Sequence, residues 1–286
     1  MKKVLLIAAI MLPLGMNAQE ESAWTHSGLA GLNLSQTSFT DWSEGGENQV
    51  ASNAYFNGSL NYKEGGRSWT NDLNLNYGIN NANNNGWRKN IDNFNFASKF
   101  GHQMTEKFYG AVLFDFKTQI AEGYKYTADD KTLISKFWTP AYMNLSVGLD
   151  WKPNSHIAAY FSPVAGKLTM VADTLFSTRY GIDANKMVRA QLGAIFKVNA
   201  NYSELLGGKL TVKSAVDFFT AYDDSFGNID VNWDLLLGLN LTKYVTVTFQ
   251  STLKYDDDIK FIDENGTHGA RIQFKEVGGL GLSYKF

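Results

Sequence analysis

Apolar and polar residues alternate along most of this chain, in segments of about ten residues. In residues 245–255, for example, every even position is polar and every odd position except Ser251 is apolar. A period of two predicts an extended strand with two chemically different faces. Segments of about this length match a strand that crosses a bilayer at a tilt.

About twelve such segments follow one another, and the connections between them alternate in length. Short turns follow the even-numbered segments, and longer loops follow the odd-numbered ones. This order predicts an all-β, transmembrane, antiparallel up-and-down β-barrel with an even number of strands, with both termini and the short turns in the periplasm. The segments are 28–34, 50–63, 69–79, 93–100, 108–120, 143–151, 157–161, 191–202, 210–218, 231–241, 245–255 and 272–286.

Alternation alone does not separate a membrane barrel from a soluble sheet, because both have one apolar face. Here the polar face is rich in Asn, Ser, Thr and Gly, and only 19% of all residues are charged. Aromatic residues such as Trp69, Trp151 and Trp233 stand near the ends of the apolar faces, where the interfaces of a bilayer would lie. These features favour a barrel whose apolar surface faces lipid.

The first residues predict export. Lys2 and Lys3 precede an apolar stretch, and the small residue Ala18 provides a cleavage position. We therefore expect residues 1–18 to be a cleaved signal peptide and residues 19–286 to form one barrel domain. Tyr284 and Phe286, on the lipid side of the last segment, are expected to act as a terminal signal for the barrel-assembly machinery, with outer-membrane lipid as the surrounding partner.

Three stretches resemble a known family. They are 33–39 (NLSQTSF), 42–48 (WSEGGEN) and 162–169 (SPVAGKLT). In these the chain is similar to a Bacteroidetes outer-membrane β-barrel family of unknown function (domain of unknown function 3078). The resemblance extends over nearly the whole mature chain. It implies a barrel in the outer membrane of a Gram-negative cell, and it brings no activity or catalytic residue.

The sequence offers little for an enzyme. Without cysteine, neither a thiolate nucleophile nor a thiolate metal site is possible. The four histidines, His26, His102, His156 and His268, lie at predicted strand ends or in loops, and none stands in mid-strand beside a serine. Only His268, at the outer rim, offers a base for a lipid-active or proteolytic site. We therefore expect no enzymatic activity and no cofactor.

Two further patterns are weak. Gly166 and Lys167 resemble the end of a phosphate-binding loop, but Leu168 stands where Ser or Thr is required. Asp256, Asp257 and Asp258, with Asp263 and Glu264, offer oxygens for calcium, although their spacing is not that of a known calcium loop. A hydrated acidic rim is the favoured interpretation. The formal net charge of -2 gives no basic surface for nucleic acid.

Charged residues of both signs fall on the predicted inner face. Two interpretations remain open: ion pairs that fill a narrow interior, or the lining of a water-filled path for small polar solutes. The long loop 121–140, with Phe137, Trp138 and Tyr142, is a possible constriction. The expected lumen-lining residues are Asp72, Lys99, Asp115, Lys117, Asp150, Lys197, Lys213, Asp217, Asp234 and Lys254.

The resulting functional hypothesis is an integral, porin-like outer-membrane barrel with a narrow channel for small polar solutes. The alternative is a non-conducting envelope scaffold or assembly partner, with Trp42 to Asn48 and the other outer loops as contact surfaces. A lipid-active enzyme is the third and least favoured hypothesis.

Overall fold

The computed structural model describes residues 23–38, 48–83, 85–127, 130–223, 225–262 and 268–285. The expected signal peptide, residues 42–47 of the proposed contact surface, and Phe286 lie outside these residues. Within them, no helix is long and apolar enough to cross a membrane.

Sixteen strands form in the described part of the chain. They are β1 (Trp24–Thr37), β2 (Gln49–Glu64), β3 (Arg67–Ala82), β4 (Arg88–Gln103), β5 (Phe108–Thr118), β6 (Gly123–Tyr126), β7 (Lys131–Ser135), β8 (Ala141–Trp151), β9 (Ile157–Met170), β10 (Val188–Glu204), β11 (Leu210–Ala221), β12 (Asp230–Asn240), β13 (Val245–Tyr255), β14 (Lys260–Ile262), β15 (His268–Ala270) and β16 (Gln273–Lys285). Two short 3-10 turns cover Thr174–Phe176 and Thr178–Tyr180.

Twelve of these strands close into one antiparallel barrel, in the order β1-β16-β13-β12-β11-β10-β9-β8-β5-β4-β3-β2. The predicted fold class and strand number are therefore confirmed. The remaining strands form two small hairpins, β6–β7 and β14–β15, inside long loops. Short turns gather at one end of the barrel and long loops at the other, and we call these the short-turn end and the long-loop end.

The two faces of the wall are inverted relative to a soluble protein. On β8, Leu145, Val147 and Leu149 are exposed on the outer surface, whereas Ser146 and Asp150 are each only 1% exposed. The same alternation runs around the barrel, so apolar side chains cover the outside and polar side chains face the lumen. Antiparallel pairing satisfies the backbone groups along most of the wall, which is the arrangement that a barrel in hydrocarbon requires.

Aromatic rings cluster on the outer face at the short-turn end. Trp24 packs against Tyr62 and Trp69, with ring centroids 5.1 and 5.9 Å apart. Phe108 stacks on Trp151 at 6.4 Å. Amphipathic rings in this position suit the interface between hydrocarbon and water.

A β-bulge interrupts β9 at Ser162 and Pro163. Pairing with β8 shifts between Val147 and Leu149, and pairing with β10 shifts between Gly193 and Ile195. The fully buried Ser162 hydroxyl contacts the carbonyl oxygens of Val147 and Val164 at 2.7 and 2.8 Å. Because proline lacks an N–H, a bulge is where a wall strand tolerates it.

The interior is not uniformly polar. An apolar cluster lies inside the barrel on the side formed by β5, β9, β10 and β11. The cluster consists of Ala111, Leu113, Tyr160, Ala165, Ile195, Phe219 and Ala221.

Candidate functional site

The centre of the lumen holds four charged residues, Asp115, Lys117, Lys197 and Asp217, which we call the central ion-pair cluster. The Lys197 ammonium lies 3.0 Å from Asp115 and 3.3 Å from Asp217. The Lys117 ammonium lies 3.2 Å from Asp217. These residues come from β5, β10 and β11, so their side chains span the lumen. Two cations and two carboxylates leave the cluster neutral.

This cluster retains some access to water. The side chains of Lys117 and Asp217 are 29% and 23% exposed, although both point inward. Asp115, in contrast, is 3% exposed and also accepts a hydrogen bond from the Asn144 amide at 2.8 Å. The cluster therefore has one dry side, next to β8, and one side that faces open lumen.

Lys99 and Asp150 form a separate pair nearer the short-turn end. Their charged atoms lie 2.7 Å apart, and Lys152 approaches the same carboxylate at 3.4 Å. Asp150 is 1% exposed. Such a buried carboxylate requires a paired cation, which Lys99 supplies across the intervening strand β5.

The other expected lining residues take different positions. Asp72 accepts a hydrogen bond from Ser59 at 2.7 Å, and Asp234 accepts one from Thr252 at 2.7 Å. Lys254 is exposed and Lys213 is half-buried, and neither belongs to the central ion-pair cluster. The structure thus brings four of the ten predicted residues into one cluster and two into a second pair.

A further group of charges, the outer charge cluster, lies at the long-loop end and consists of Lys167, Arg189, Asp230, Asp256 and Asp258. The Lys167 ammonium lies 2.6 Å from Asp230 and 3.8 Å from Asp256. The Arg189 guanidinium lies 2.6 Å from Asp258. Oxygens of the three carboxylates lie within 4.8 Å of one another. Carboxylates this close repel one another, and Lys167 and Arg189 offset the repulsion. Because these two cations already pair with the carboxylates, an acidic rim is favoured over a calcium site.

Asp263 and Glu264, the other acidic residues of the calcium hypothesis, lie outside the described residues. Lys167 and Arg189 were not among the predicted lining residues. The sequence signal for Lys167 is the alternation that resumes after Pro163. The predicted segment ends at Phe161 and therefore does not include it. For Arg189 the signal is weaker, because it stands at the start of β10.

Residues 171–187 fold over part of the long-loop end and form what we call the outer cap. Val171, Phe176 and Ile182 are buried together, and Leu133 of the β6–β7 hairpin packs against them. The Tyr180 hydroxyl donates to the Ile134 carbonyl at 2.7 Å, and burial raises the pKa of Tyr180 to about 12. The cap reaches across to the turn after β13.

Two carboxylates, the half-buried Asp173 and the exposed Asp223, hold the loops of this end in shape. The Leu175 N–H donates to Asp173 and lowers the pKa of that carboxyl. The Ser225 hydroxyl and backbone N–H similarly lower the pKa of Asp223. Lys136 lies 3.4 Å from Asp173 and connects the cap to the loop after β7.

The aromatic part of the 121–140 loop does not enter the lumen. Trp138 packs on Phe116 at 5.1 Å, and Phe116 belongs to the outward-facing row of β5. Phe137 is 59% exposed beside it. Tyr142 is half-buried on the inward row of β8. The hypothesis of a constriction by Phe137 and Trp138 is therefore not supported by their positions.

Uncharged polar side chains line the half of the lumen near β1, and we call Asn33, Asn53, Asn76, Thr248 and Gln250 the amide cluster. The Asn33 amide donates to Thr248 at 3.1 Å, and the Asn76 amide donates to Gln250 at 2.9 Å. Both contacts reach over intervening strands. Asn53, which pairs directly with Asn33, is 7% exposed, and neither polar atom of its side chain has a partner.

The described histidine side chains lie towards the short-turn end and do not form a nucleophile–base pair in the contacts seen there. His156 contacts the Asn201 carbonyl at 3.1 Å and stacks on Tyr202 at 4.7 Å. His26 and His102 are exposed. The side chain of His268 lies outside what the structure describes.

Solved structures of outer-membrane barrels resemble this fold at very low sequence identity. The translocator domain of the autotransporter NalP from Neisseria meningitidis has 10% identity, a TM-score of 0.39, and coverage of 92% of this chain and 87% of its own. The NanC porin has 9% identity, a TM-score of 0.40, and coverage of 91% and 100%. OmpT, an outer membrane protein of Vibrio cholerae, has 8% identity, a TM-score of 0.31, and coverage of 95% and 100%.

These likenesses concern the fold alone. The sequence matches no curated protein. A model of the family described as "Protein of unknown function (DUF3078)" matches residues 34–124, and over that part of the chain the resemblance to this family of unknown function is confirmed.

Proposed function

We propose that this protein is an integral outer-membrane barrel of a Gram-negative cell and that its lumen is a narrow path for small polar solutes. The observation that carries the proposal is the inverted distribution of side chains. Apolar residues cover the outside, while ion pairs and amides line the inside. This arrangement suits a wall that meets hydrocarbon outside and water inside.

Several inward-facing side chains support a wet lumen. Asn74, Asn199 and Lys254 are exposed although the alternation of their strands directs them inward. The 29% exposure of Lys117 places open space next to the central ion-pair cluster. Charged groups in this setting remain hydrated, which lowers the free-energy cost of keeping them inside the barrel.

The same lumen is too obstructed for a wide pore. A barrel of about eight strands is filled by its own side chains, whereas one of about sixteen encloses an open channel. With twelve strands, bonds such as Lys117–Asp217 and Asn76–Gln250 bridge the remaining space. Because the central cluster is neutral, the proposed path favours small uncharged or zwitterionic solutes and discriminates weakly between ions.

Planar-bilayer recording tests this proposal. We expect small, steady conductance steps with a reversal potential near zero under a salt gradient. A matched variant, Glu276→Gln, changes a charge on the outer face and leaves the lumen unaltered, so its conductance is expected to equal that of the natural sequence. Silence over many insertions of folded protein would reject the channel.

The outer cap gives a specific reason to keep the non-conducting scaffold as a second candidate. The cap and the Arg189–Asp258 bridge cover part of the long-loop end. Deleting residues 174–182 separates the two candidates. A gated channel gains conductance when the cap is shortened, whereas a scaffold remains silent.

We further propose that the protein is not an enzyme, since the contacts described for the histidines pair none of them with a nucleophile. Assays for lipid and peptide hydrolysis, with His268→Ala as the matched variant, test this point. Hydrolysis that disappears in His268→Ala would contradict it.

A further inference from the structure

The wall of the barrel is unevenly paired at the strands that close it. β1 pairs with β2 over its whole length, from Trp24 to Thr37, but with β16 only from Leu29 to Asn33. These five pairs compare with ten or more at each of the other boundaries between neighbouring strands. Among the described residues, the last pair towards the long-loop end is Asn33 with Gly281.

Beyond this pair, the facing edges of residues 34–37 and 273–280 have no strand partner within the described part of the chain. We call this gap the open seam. On its other edge, β16 remains paired with β13. Unpaired backbone groups are costly in hydrocarbon, so polar groups other than those of the described strands must satisfy the backbone of the open seam.

The outer face beside the open seam carries one carboxylate among apolar side chains. Glu276 is exposed on the outer surface of β16, in register with Ser251 and hence with Leu235 on β12. Glu276 lies one outward-facing position nearer the short-turn end than Phe274, inside the apolar band of the wall. A carboxylate is unfavourable against lipid chains, so its position indicates that polar groups reach the membrane side of the seam.

The inner side of the open seam leads to the amide cluster. The Asn33 side chain passes beneath β16 to reach Thr248, in space left free by Gly279 and Gly281. The ring of Tyr55 lies across Gly31, one row nearer the short-turn end, and forms a floor below the cluster. The amide cluster therefore lies directly behind the open seam.

The amide cluster has unused hydrogen-bonding capacity. Both polar atoms of the Asn53 side chain, which is 93% buried, and the Oδ1 atoms of Asn33 and Asn76 have no partner. Buried amides without partners are rare and costly in folded proteins. Their arrangement supplies donors and acceptors without a charged side chain among the five residues of the cluster.

We propose that the open seam is a lateral entrance through which an amphiphile with an uncharged polar head passes from the membrane to the amide cluster. The head group exchanges hydrogen bonds with Asn53, Asn33 and Asn76. The apolar chain stays outside the wall, against Leu34 and Leu280, which are both exposed there. Glu276 at the entrance repels anionic head groups, and the five uncharged residues of the amide cluster offer no counter-charge to a cationic one, so the ligand carries an uncharged head.

Thiol labelling tests this entrance, because the natural chain contains no cysteine. The reporter is Asn53→Cys in phosphatidylcholine vesicles. The probes are N-dodecylmaleimide, which has an uncharged head and partitions into the bilayer, and N-ethylmaleimide, which is small and enters the lumen from its ends. The seam is locked by adding Leu34→Cys and Leu280→Cys and joining the two thiols by oxidation or with a short bifunctional thiol reagent.

The matched control lock joins Leu32→Cys to Leu282→Cys, two residues that are already directly paired. We expect the Leu34–Leu280 lock to slow labelling by N-dodecylmaleimide about tenfold, because it removes the state with an open seam. The control lock is expected to leave that rate unchanged. Both locked proteins should react with N-ethylmaleimide at the rate of the unlocked reporter.

Equal rates with N-dodecylmaleimide in locked and unlocked protein would overturn the proposal. A lock that slows both probes alike would also overturn it, since the effect would then be a general loss of reactivity at Asn53→Cys and not the closure of a route used by the amphiphile. Disulfide-linked dimers of the single variant Leu280→Cys, formed in place of labelling, would show that a second copy occupies the edge and would equally reject an amphiphile. None of these readouts requires ion conductance, so the result is independent of the proposed channel.

Discussion

The Lys117 ammonium lies 3.2 Å from the Asp217 carboxylate, although β8, β9 and β10 stand between their strands in the wall. The pair therefore crosses the lumen and does not lie along it. Asp217 also contacts Lys197 at 3.3 Å, so one carboxylate is shared by two cations. Removing that carboxylate leaves the central ion-pair cluster with a net positive charge.

We expect Asp217→Asn to shift the proposed channel towards anions, because Lys117 and Lys197 then share only Asp115. Lys117→Gln should shift it towards cations. Reversal potentials under a salt gradient measure both effects. Asp173→Asn, in the outer cap, is the control and should change neither. Identical reversal potentials for all variants would contradict a path through the central ion-pair cluster.

Neighbouring residues on β12 should differ in their access to water. A cysteine at Leu235 faces lipid and is expected to resist small aqueous thiol reagents. A cysteine at Asp234, where the natural carboxylate accepts hydrogen bonds from Asn232 and Thr252 inside the barrel, should react. Labelling by a charged methanethiosulfonate in liposomes measures the ratio. Equal reactivity would show that the lumen is not wetted at this level.

Gly148 should tolerate no side chain. A Cβ atom added there would lie 2.1 Å from the Phe161 carbonyl oxygen at the bulge of β9. We expect Gly148→Ala to destabilise the barrel by about 1–3 kcal/mol, the usual cost of overpacking. Gly278→Ala is the matched control, since nothing lies within 4 Å of its added Cβ. Urea unfolding in detergent compares them, and equal stability would contradict the close approach.

The outer cap should open in acid. Hydrogen bonds from the Leu175 N–H and from Lys186 hold the pKa values of Asp173 and Asp183, two carboxyls of the cap, below the ordinary range. A carboxyl group whose pKa is lowered by folding stabilises the folded loop at pH values above its ordinary pKa. This stabilisation is lost as the pH falls through the lowered pKa. We therefore expect an unchanged cap at neutral pH and opening only below about pH 4.

Hydrogen exchange of residues 171–187, corrected for the intrinsic effect of pH, measures this opening. Asp173→Ala should lose part of the protection already at neutral pH and depend less on acid. Protection that is constant down to low pH in the natural sequence would show that these carboxylates do not hold the cap.

Asn33 should stabilise the seam through Thr248. Removing one neutral hydrogen bond typically costs about 1 kcal/mol, so we expect this loss for Asn33→Ala. Thr248→Val should cost a similar amount, and the double variant little more than either single one, since both remove the same bond. Thermal unfolding of the four proteins in detergent gives the coupling energy. Fully additive losses would contradict the contact.

Alternation in the sequence is enough to predict twelve wall strands and which residues face outward, because a strand directs successive side chains to opposite faces. It was not enough at Pro163, where an extra residue shifts the alternation and β9 continues to Met170. It also left out the hairpins β6–β7 and β14–β15, whose strands are too short to show a period.

The contacts inside the lumen were beyond prediction from the sequence for a different reason. Alternation shows that Lys117 and Asp217 point inward, but their meeting depends on strand order, tilt and barrel radius. Leu113, Tyr160 and Ile195 face inward on the polar side of their strands, against the chemical pattern. The amide cluster gave no signal, because asparagine is common along all the inner faces.

The short joint between β1 and β16 also bears on how the cylinder forms and fails. Its five residue pairs unite parts of the chain as distant in sequence as Asn33 and Gly281, so a long loop must close before any of them can form. The ring is thus expected to be sealed last during assembly. Under heat or tension it should part first along this same line, while the eleven longer joints still hold the remaining wall together.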